Sequence, residues 1–113
     1  MQRSWTSSVV RGDVHPISLP RLRGHAQHGR RFCVIVQADD LLALSTAIVC
    51  PTSQSTPAAS FHPDVTVDGE RMKVMCEMVG AVDAAALGDR VDHLSHEEMR
   101  SVDDALALVL DLR

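Results

Sequence analysis

The sequence predicts an α+β fold that is mostly β, a small antiparallel barrel or sandwich closed by one C-terminal helix. Three observations predict it. Short β-branched and apolar runs recur between Pro, Gly and Ser punctuation as far as Val82. The hydrophobic period then becomes helical after Ser95. A chain of 113 residues suffices for one modest core and not for two.

The elements follow in order. "VVRGDVHPISL" (Val9–Leu19) places valines on either side of an Arg-Gly-Asp step, "FCVIVQ" (Phe32–Gln37) is continuously apolar, and "TAIVCPT" (Thr46–Thr52) is β-branched with a proline near its end. "DVTV" (Asp64–Val67) alternates, and "KVMCEMVGAV" (Lys73–Val82) reads as one longer apolar strand with Glu77 inside it. "DAAALGD" predicts a helical turn with Asp83 as N-cap and Gly88 as terminator. In the final segment Ser95 precedes Glu98 by three residues, a capping box. Met99, Val102, Leu106, Val109 and Leu110 then recur at the spacing of one helix face.

The expected organisation is a single domain over residues 1–113, with residues 1–9 as a flexible N-terminal extension. With one Trp, two Phe and no Tyr, the core falls to Val, Leu, Ile, Ala and Met. No apolar run approaches the roughly 20 residues of a membrane span, and the N-terminus lacks the apolar stretch of a signal peptide. A cytoplasmic protein with no membrane partner is expected. Cys33, Cys50 and Cys76 are odd in number and each sits in an apolar segment, as buried reduced thiols would. His25, His28 and Cys33 lack a clear fourth ligand, so no metal and no cofactor are predicted.

The net charge of -4 conceals an asymmetry. The first 31 residues hold six arginines against Asp13 alone, while the rest hold five basic and fourteen acidic residues. A basic segment on an acidic body is what a local polyanion site looks like. The stretch "GHAQHGRRFCVIVQ" (Gly24–Gln37) concentrates it, with two histidines and two adjacent arginines in a glycine-bounded loop that runs straight into an apolar strand. Such a strand fixes Arg31 while the loop is left to wrap a ligand.

Four pieces in register, "RGDV" (Arg11–Val14), "RGHAQHGRRF" (Arg23–Phe32), "IVCPTSQ" (Ile48–Gln54) and "CEMVGAVD" (Cys76–Asp83), followed by the closing helix, resemble the successive motifs of the MazF/PemK/Kid toxin family. The resemblance covers nearly the whole chain from Val10 to Leu112. It implies an SH3-like antiparallel barrel of the CcdB/PemK plasmid-maintenance kind, and a homodimer. The implied activity is a metal-independent, sequence-selective endoribonuclease toxin acting on single-stranded RNA and neutralised by a cognate MazE-like antitoxin. By position, Arg31 matches the family's catalytic arginine and Thr52 its catalytic threonine. One residue is missing before Thr52, which makes Ser53 the alternative hydroxyl. His25 matches the loop histidine of the Kid-like branch, and Glu77 falls at that branch's acidic position near the scissile phosphate. Arg23, His28, Arg30, Ser53 and Gln54 are the expected RNA contacts. Ala26 replaces the usual loop glutamate and Phe32 the usual proline. Met75 and Gly80 stand where positive charge is usual.

The chemistry fits these residue types. Metal-independent RNA cleavage uses the substrate's own 2′-hydroxyl, so the protein must stabilise extra phosphate charge and move two protons. Arg31 suits the first task, because a guanidinium donates to two phosphate oxygens and stays charged. A hydroxyl adds a neutral donor. His25, His28 and Glu77 are the proton-transfer candidates. Two other classes remain open: a non-catalytic relative of the fold acting by protein binding, like the CcdB-type gyrase poisons, and a regulatory SH3-like module.

Overall fold

The computed structural model describes residues 9–18, 31–41 and 45–112. Among them are the strands β1 (Asp13–Pro16), β2 (Phe32–Ile35), β3 (Thr46–Ser53), β4 (Asp64–Val67), β5 (Glu70–Val74), β6 (Gly80–Asp83) and β7 (Asp92–His93), and the helix α1 (His96–Leu110). All pairings are antiparallel, in the order β4-β5-β3-β2-β1-β7, with β6 added on β3. The α+β class and the closing helix follow the sequence expectation. At 15 residues α1 is not long enough to cross a membrane, and none of the described helices is.

The unbroken apolar run of β2 has a simple cause: both of its faces are covered. Phe32 and Val34 face an inner cluster with Val14, Cys50, Val65, Val67, Met72, Val74, Cys76, Leu94, Val102 and Ala105. Cys33 and Ile35 face a second cluster with Val9, Ile17, Ala47 and Val49, flanked by Val82 and Leu87. Val9, assigned above to a flexible extension, is buried there; the remainder of that extension, residues 1–8, lies outside the described residues.

The "RGDV" step is a clamp on the fold. Gly12 takes a left-handed φ of 96°, and a Cβ on it would come within 3.1 Å of the His93 ring. Asp13, fully buried, accepts from the Val10 N–H and from His93 Nδ1 at 2.7 Å. Arg11 donates to the Val36 carbonyl at 2.8 Å and to Asp103 on α1 at 2.6 Å, which fastens the helix to the sheet. At the β4–β5 turn Asp68 and Gly69 have φ of 51° and 84°, the pair of positive values that a two-residue hairpin with Asp-Gly favours.

The expected long strand over Lys73–Val82 is interrupted. β5 and β6 lie along the same edge of β3: Thr52 pairs with Val74 and Val49 with Gly80, so three steps along β3 face six along the other chain. The surplus forms a single 3₁₀ turn, Cys76–Met78, which places Glu77 on a bulge and not within a strand. The expected turn after Asp83 forms as a 3₁₀ turn over Ala84–Ala86, and Asp83 accepts from the Ala85 N–H. It stops at Leu87 and not at Gly88, because Leu87 bridges to Ile17.

The capping box forms as the sequence predicts: Ser95 Oγ accepts from the Glu98 N–H at 3.0 Å and Glu98 Oε1 from the Ser95 N–H at 2.8 Å. The helix buries Val102 and Ala105 and packs Met99, Leu106 and Val109 against the inner cluster, while Leu110 stays exposed. Glu98 Oε2 also accepts from the Thr66 N–H of β4 at 2.9 Å, so one side chain joins helix start to sheet edge. Glu98→Ala, which removes two backbone acceptors, is expected to cost about 1–2 kcal/mol of unfolding free energy and Glu98→Gln less. Urea unfolding midpoints check this; equal midpoints for Glu98→Ala and the parent would contradict the role.

Candidate active site

The outer face of the β2–β3 ladder carries the first candidate group. The Ile17 N–H donates to the Arg31 carbonyl at 3.0 Å, which fixes the backbone just before β2. Cys33 pairs with Pro51. Continued by two residues, that register sets Arg31 opposite Ser53. Side chains alternate between faces, so Phe32 and Thr52 point inward while Arg31 and Ser53 share the outer face. Burial agrees: Thr52 is 3% exposed and its hydroxyl donates to the Phe32 carbonyl at 3.2 Å, whereas Arg31 and Ser53 are half-buried. The Thr52 hydroxyl thus ties β3 to β2 beside Arg31, and Ser53 follows it on the opposite face of β3. Ser53 Oγ accepts from the Ser55 N–H at 3.1 Å and lies 3.4 Å from Ser55 Oγ. Gln54 is exposed and donates to Glu70 at 3.1 Å.

The second group sits on the bulge. Met75 N–H donates to the Pro51 carbonyl at 2.8 Å, which anchors the turn two residues before Ser53. Glu77 there receives both contacts of His62 Nε2, at 3.0 and 2.9 Å, and His62 Nδ1 lies 2.7 Å from the Pro57 carbonyl. A neutral imidazole has one N–H, so two oxygen acceptors select the doubly protonated ring. The hydrogen bond with Glu77 accordingly raises the His62 pKa above its usual 6.5, against an opposing contribution from burial. The Phe61 ring meets His62 edge-on at 4.6 Å between centroids. No local spacing links "SFHPD" to "CEM", and only the bulge joins them, which is why sequence reading singles out Glu77 and passes over His62.

Arg23, His25, His28 and Arg30 lie outside the described residues. All three cysteine thiols are free and buried, and burial pushes Cys33 up to about 12. The hydrogen bond between Cys50 and Cys76 raises Cys50, with burial adding to it, and lowers Cys76.

A family model described as the PemK-like, MazF-like toxin of type II toxin–antitoxin systems matches residues 10–110. The chain belongs to this family. It is 32% identical over 106 residues to a protein of Mycobacterium tuberculosis described as a toxin, covering 92% of this chain and 99% of that one. It is likewise 32% identical over 111 residues to the endoribonuclease EndoA of Bacillus subtilis, covering 92% and 96%. Among solved structures, a mycobacterial endoribonuclease in complex with its cognate antitoxin superposes with a TM-score of 0.78 at 16% identity, over 93% of this chain and 97% of that one. MazF from Deinococcus radiodurans gives 0.77 at 15% identity, over 91% and 96%. These likenesses place the fold as that of the MazF barrels.

The His62–Glu77 pair makes stability depend on pH with a definite sign. His62 is raised in the folded chain, so its contribution is complete below the ordinary value of 6.5 and is lost as pH rises through the higher folded value. The stability difference between the parent and His62→Gln is therefore expected to be largest in mild acid and to shrink toward alkaline pH. Urea titrations across that range check it, and a difference that grew with pH would reverse the assignment.

Proposed function

We propose that this chain, an endoribonuclease toxin of the PemK/MazF family, cleaves single-stranded RNA without a metal by attack of the substrate's 2′-oxygen on the adjacent phosphorus. The new P–O2′ bond forms as the P–O5′ bond breaks, leaving a 2′,3′-cyclic phosphate and a 5′-hydroxyl. A base takes the 2′ proton and an acid supplies one to O5′. What supports the reading is the alternation of side chains along β2 and β3, which turns Arg31 and Ser53 toward the same outer face. The guanidinium donates to two phosphate oxygens at once, and the Ser53 hydroxyl hydrogen supplies a third donor where charge develops. Thr52 acts from behind: its bond to the Phe32 carbonyl holds the two strands in the register that brings Arg31 and Ser53 together.

Proton transfer is assigned to Glu77, held by His62, together with the loop histidines His25 and His28. Glu77 is partly exposed, with 38% of its side chain accessible, and His62 beneath it holds the carboxylate through a hydrogen bond that raises the His62 pKa. Selectivity for the RNA sequence is assigned to the exposed amide of Gln54 and to Arg23 and Arg30 of the loop. Single-turnover cleavage of one long defined RNA in EDTA, with product ends mapped, tests the scheme. Arg31→Ala and Ser53→Ala are each expected to slow cleavage by about two to three decades. Arg31→Lys rescues little, since a point charge cannot make the bidentate contact. Arg30→Ala chiefly weakens binding and its salt dependence. Full activity in Arg31→Ala, or loss of activity on chelation, rules the mechanism out.

The assembly is a homodimer restrained by a cognate antitoxin that lays an acidic segment over the RNA face. Among the described residues β6 pairs on one side only, with β3, and the exposed Ile48 and Met78 lie beside it. A sparsely charged edge of this kind is a natural self-complementary surface. Light scattering is expected to give twice the 12.3 kDa chain mass. Saturating RNA is expected to compete with the antitoxin; undiminished antitoxin binding in its presence argues against the overlap.

A further inference from the structure

The β2–β3 register, which extended by two residues sets Arg31 opposite Ser53, continues across the sheet. Ser53 pairs with Lys73 of β5, and Lys73 pairs with Asp64 of β4. Cross-strand partners share a face, so a guanidinium, a hydroxyl, an ammonium and a carboxylate form one outer row from Arg31 to Asp64. The opposite face of the β4–β5 hairpin packs Val65, Val67, Met72 and Val74 into the inner cluster. The charged row therefore takes no part in core packing.

Asp64 lies between two cations, 2.6 Å from Lys73 Nζ and 3.9 Å from Arg71. Its side chain is 53% exposed, and the Lys73 ammonium, chiefly through its hydrogen bond, lowers the Asp64 pKa. Beyond the first 31 residues the chain has only five basic residues, and two of them meet on this hairpin beside Ser53. An exposed ion pair is weak in water. A phosphate, with more oxygens to offer, is a better acceptor for an ammonium and a guanidinium than one carboxylate is.

We propose that the outer face of the β4–β5 hairpin is a second phosphate subsite, in which Lys73 and Arg71 release Asp64 and take an RNA phosphate adjacent to the one held by Arg31 and Ser53. The inference rests on the cleavage site proposed above and adds the direction of the RNA strand, from β2 across β3 and onto β5. Asp64 occupies the subsite in the absence of RNA, as an internal anion that the substrate displaces.

The test is fluorescence anisotropy with a mixed-sequence, 2′-O-methylated RNA oligonucleotide, which binds without being cleaved, titrated over a range of salt. Lys73→Gln is expected to raise Kd several-fold and to reduce the slope of log Kd against log salt by about 0.7, one phosphate contact on a single strand. On cleavable RNA the loss falls on KM rather than kcat. Asp64→Asn is expected to act oppositely and tighten binding several-fold, because it frees both cations. Thermal unfolding of each variant separates these effects from loss of fold. Were the row merely a structural ion pair, both substitutions would lower the melting temperature and neither would tighten RNA binding. Unchanged Kd and salt slope in Lys73→Gln, or weaker binding in Asp64→Asn, overturns the subsite. Arg31→Ala, run on the cleavable RNA in parallel, distinguishes the two levels: if it cleaves at the parental rate the cleavage site itself is misassigned, whereas if it is inactive and Lys73→Gln binds normally only the subsite fails.

Discussion

One edge of β3 serves two strands, and the rest of the molecule accommodates that. A backbone edge offers each donor and acceptor once, so β5 and β6 can share it only in succession. The chain between them must therefore shed surplus residues, and it does so in the turn Cys76–Met78, where Met75 binds Pro51 and Cys76 binds the Phe61 carbonyl. The turn lifts Glu77 out of the sheet and toward His62. The end of β3 beyond the turn pairs with β5, which brings Lys73 beside Ser53. Bulges that re-aim side chains beside functional sites are a general device of barrels, and here the device follows from pairing geometry.

Burial on both faces of β2 adds a second constraint. Residues between two apolar layers have little freedom of rotation or translation, so the backbone at Arg31 inherits a fixed position from Phe32 and Cys33. A rigid strand carrying a cationic side chain at its mouth is the preorganisation that transition-state stabilisation requires.

The sequence reveals most where a local rule and the tertiary structure coincide. The capping box at Ser95 and Glu98, the Asp83 cap, the hairpin at Asp68-Gly69 and the apolar β2 all have short-range causes. The interruption at Cys76 does not: "KVMCEMVGAV" holds no Pro and no early Gly, and the break arises from competition for β3, 20 or more residues away. The family motif "RGDV" is visible in sequence, but its meaning is not, since Arg11 and Asp13 act through Asp103, His93 and Val10 as fold clamps. Arg31 is legible as a candidate because it is charged next to a core strand. His62 is not, because its partner lies 15 residues away across a bulge. Which face of β3 Thr52 and Ser53 each occupy is not legible either, because it depends on the register with β2 and β5.

Thr52 and Ser53 are adjacent hydroxyls on opposite faces of one strand. A strand that gains or loses one residue ahead of them exchanges the faces, since side-chain direction has a period of two. Most such exchanges put a hydrophobe into solvent or leave a buried polar group unpaired. Here an insertion carries Thr52 into the outward place of Ser53 but brings Pro51 into the inward place, and a deletion carries Ser53 inward but brings Gln54 outward. A tandem Thr-Ser therefore preserves one of the two hydroxyl positions through either change, the outward one on insertion and the inward one on deletion.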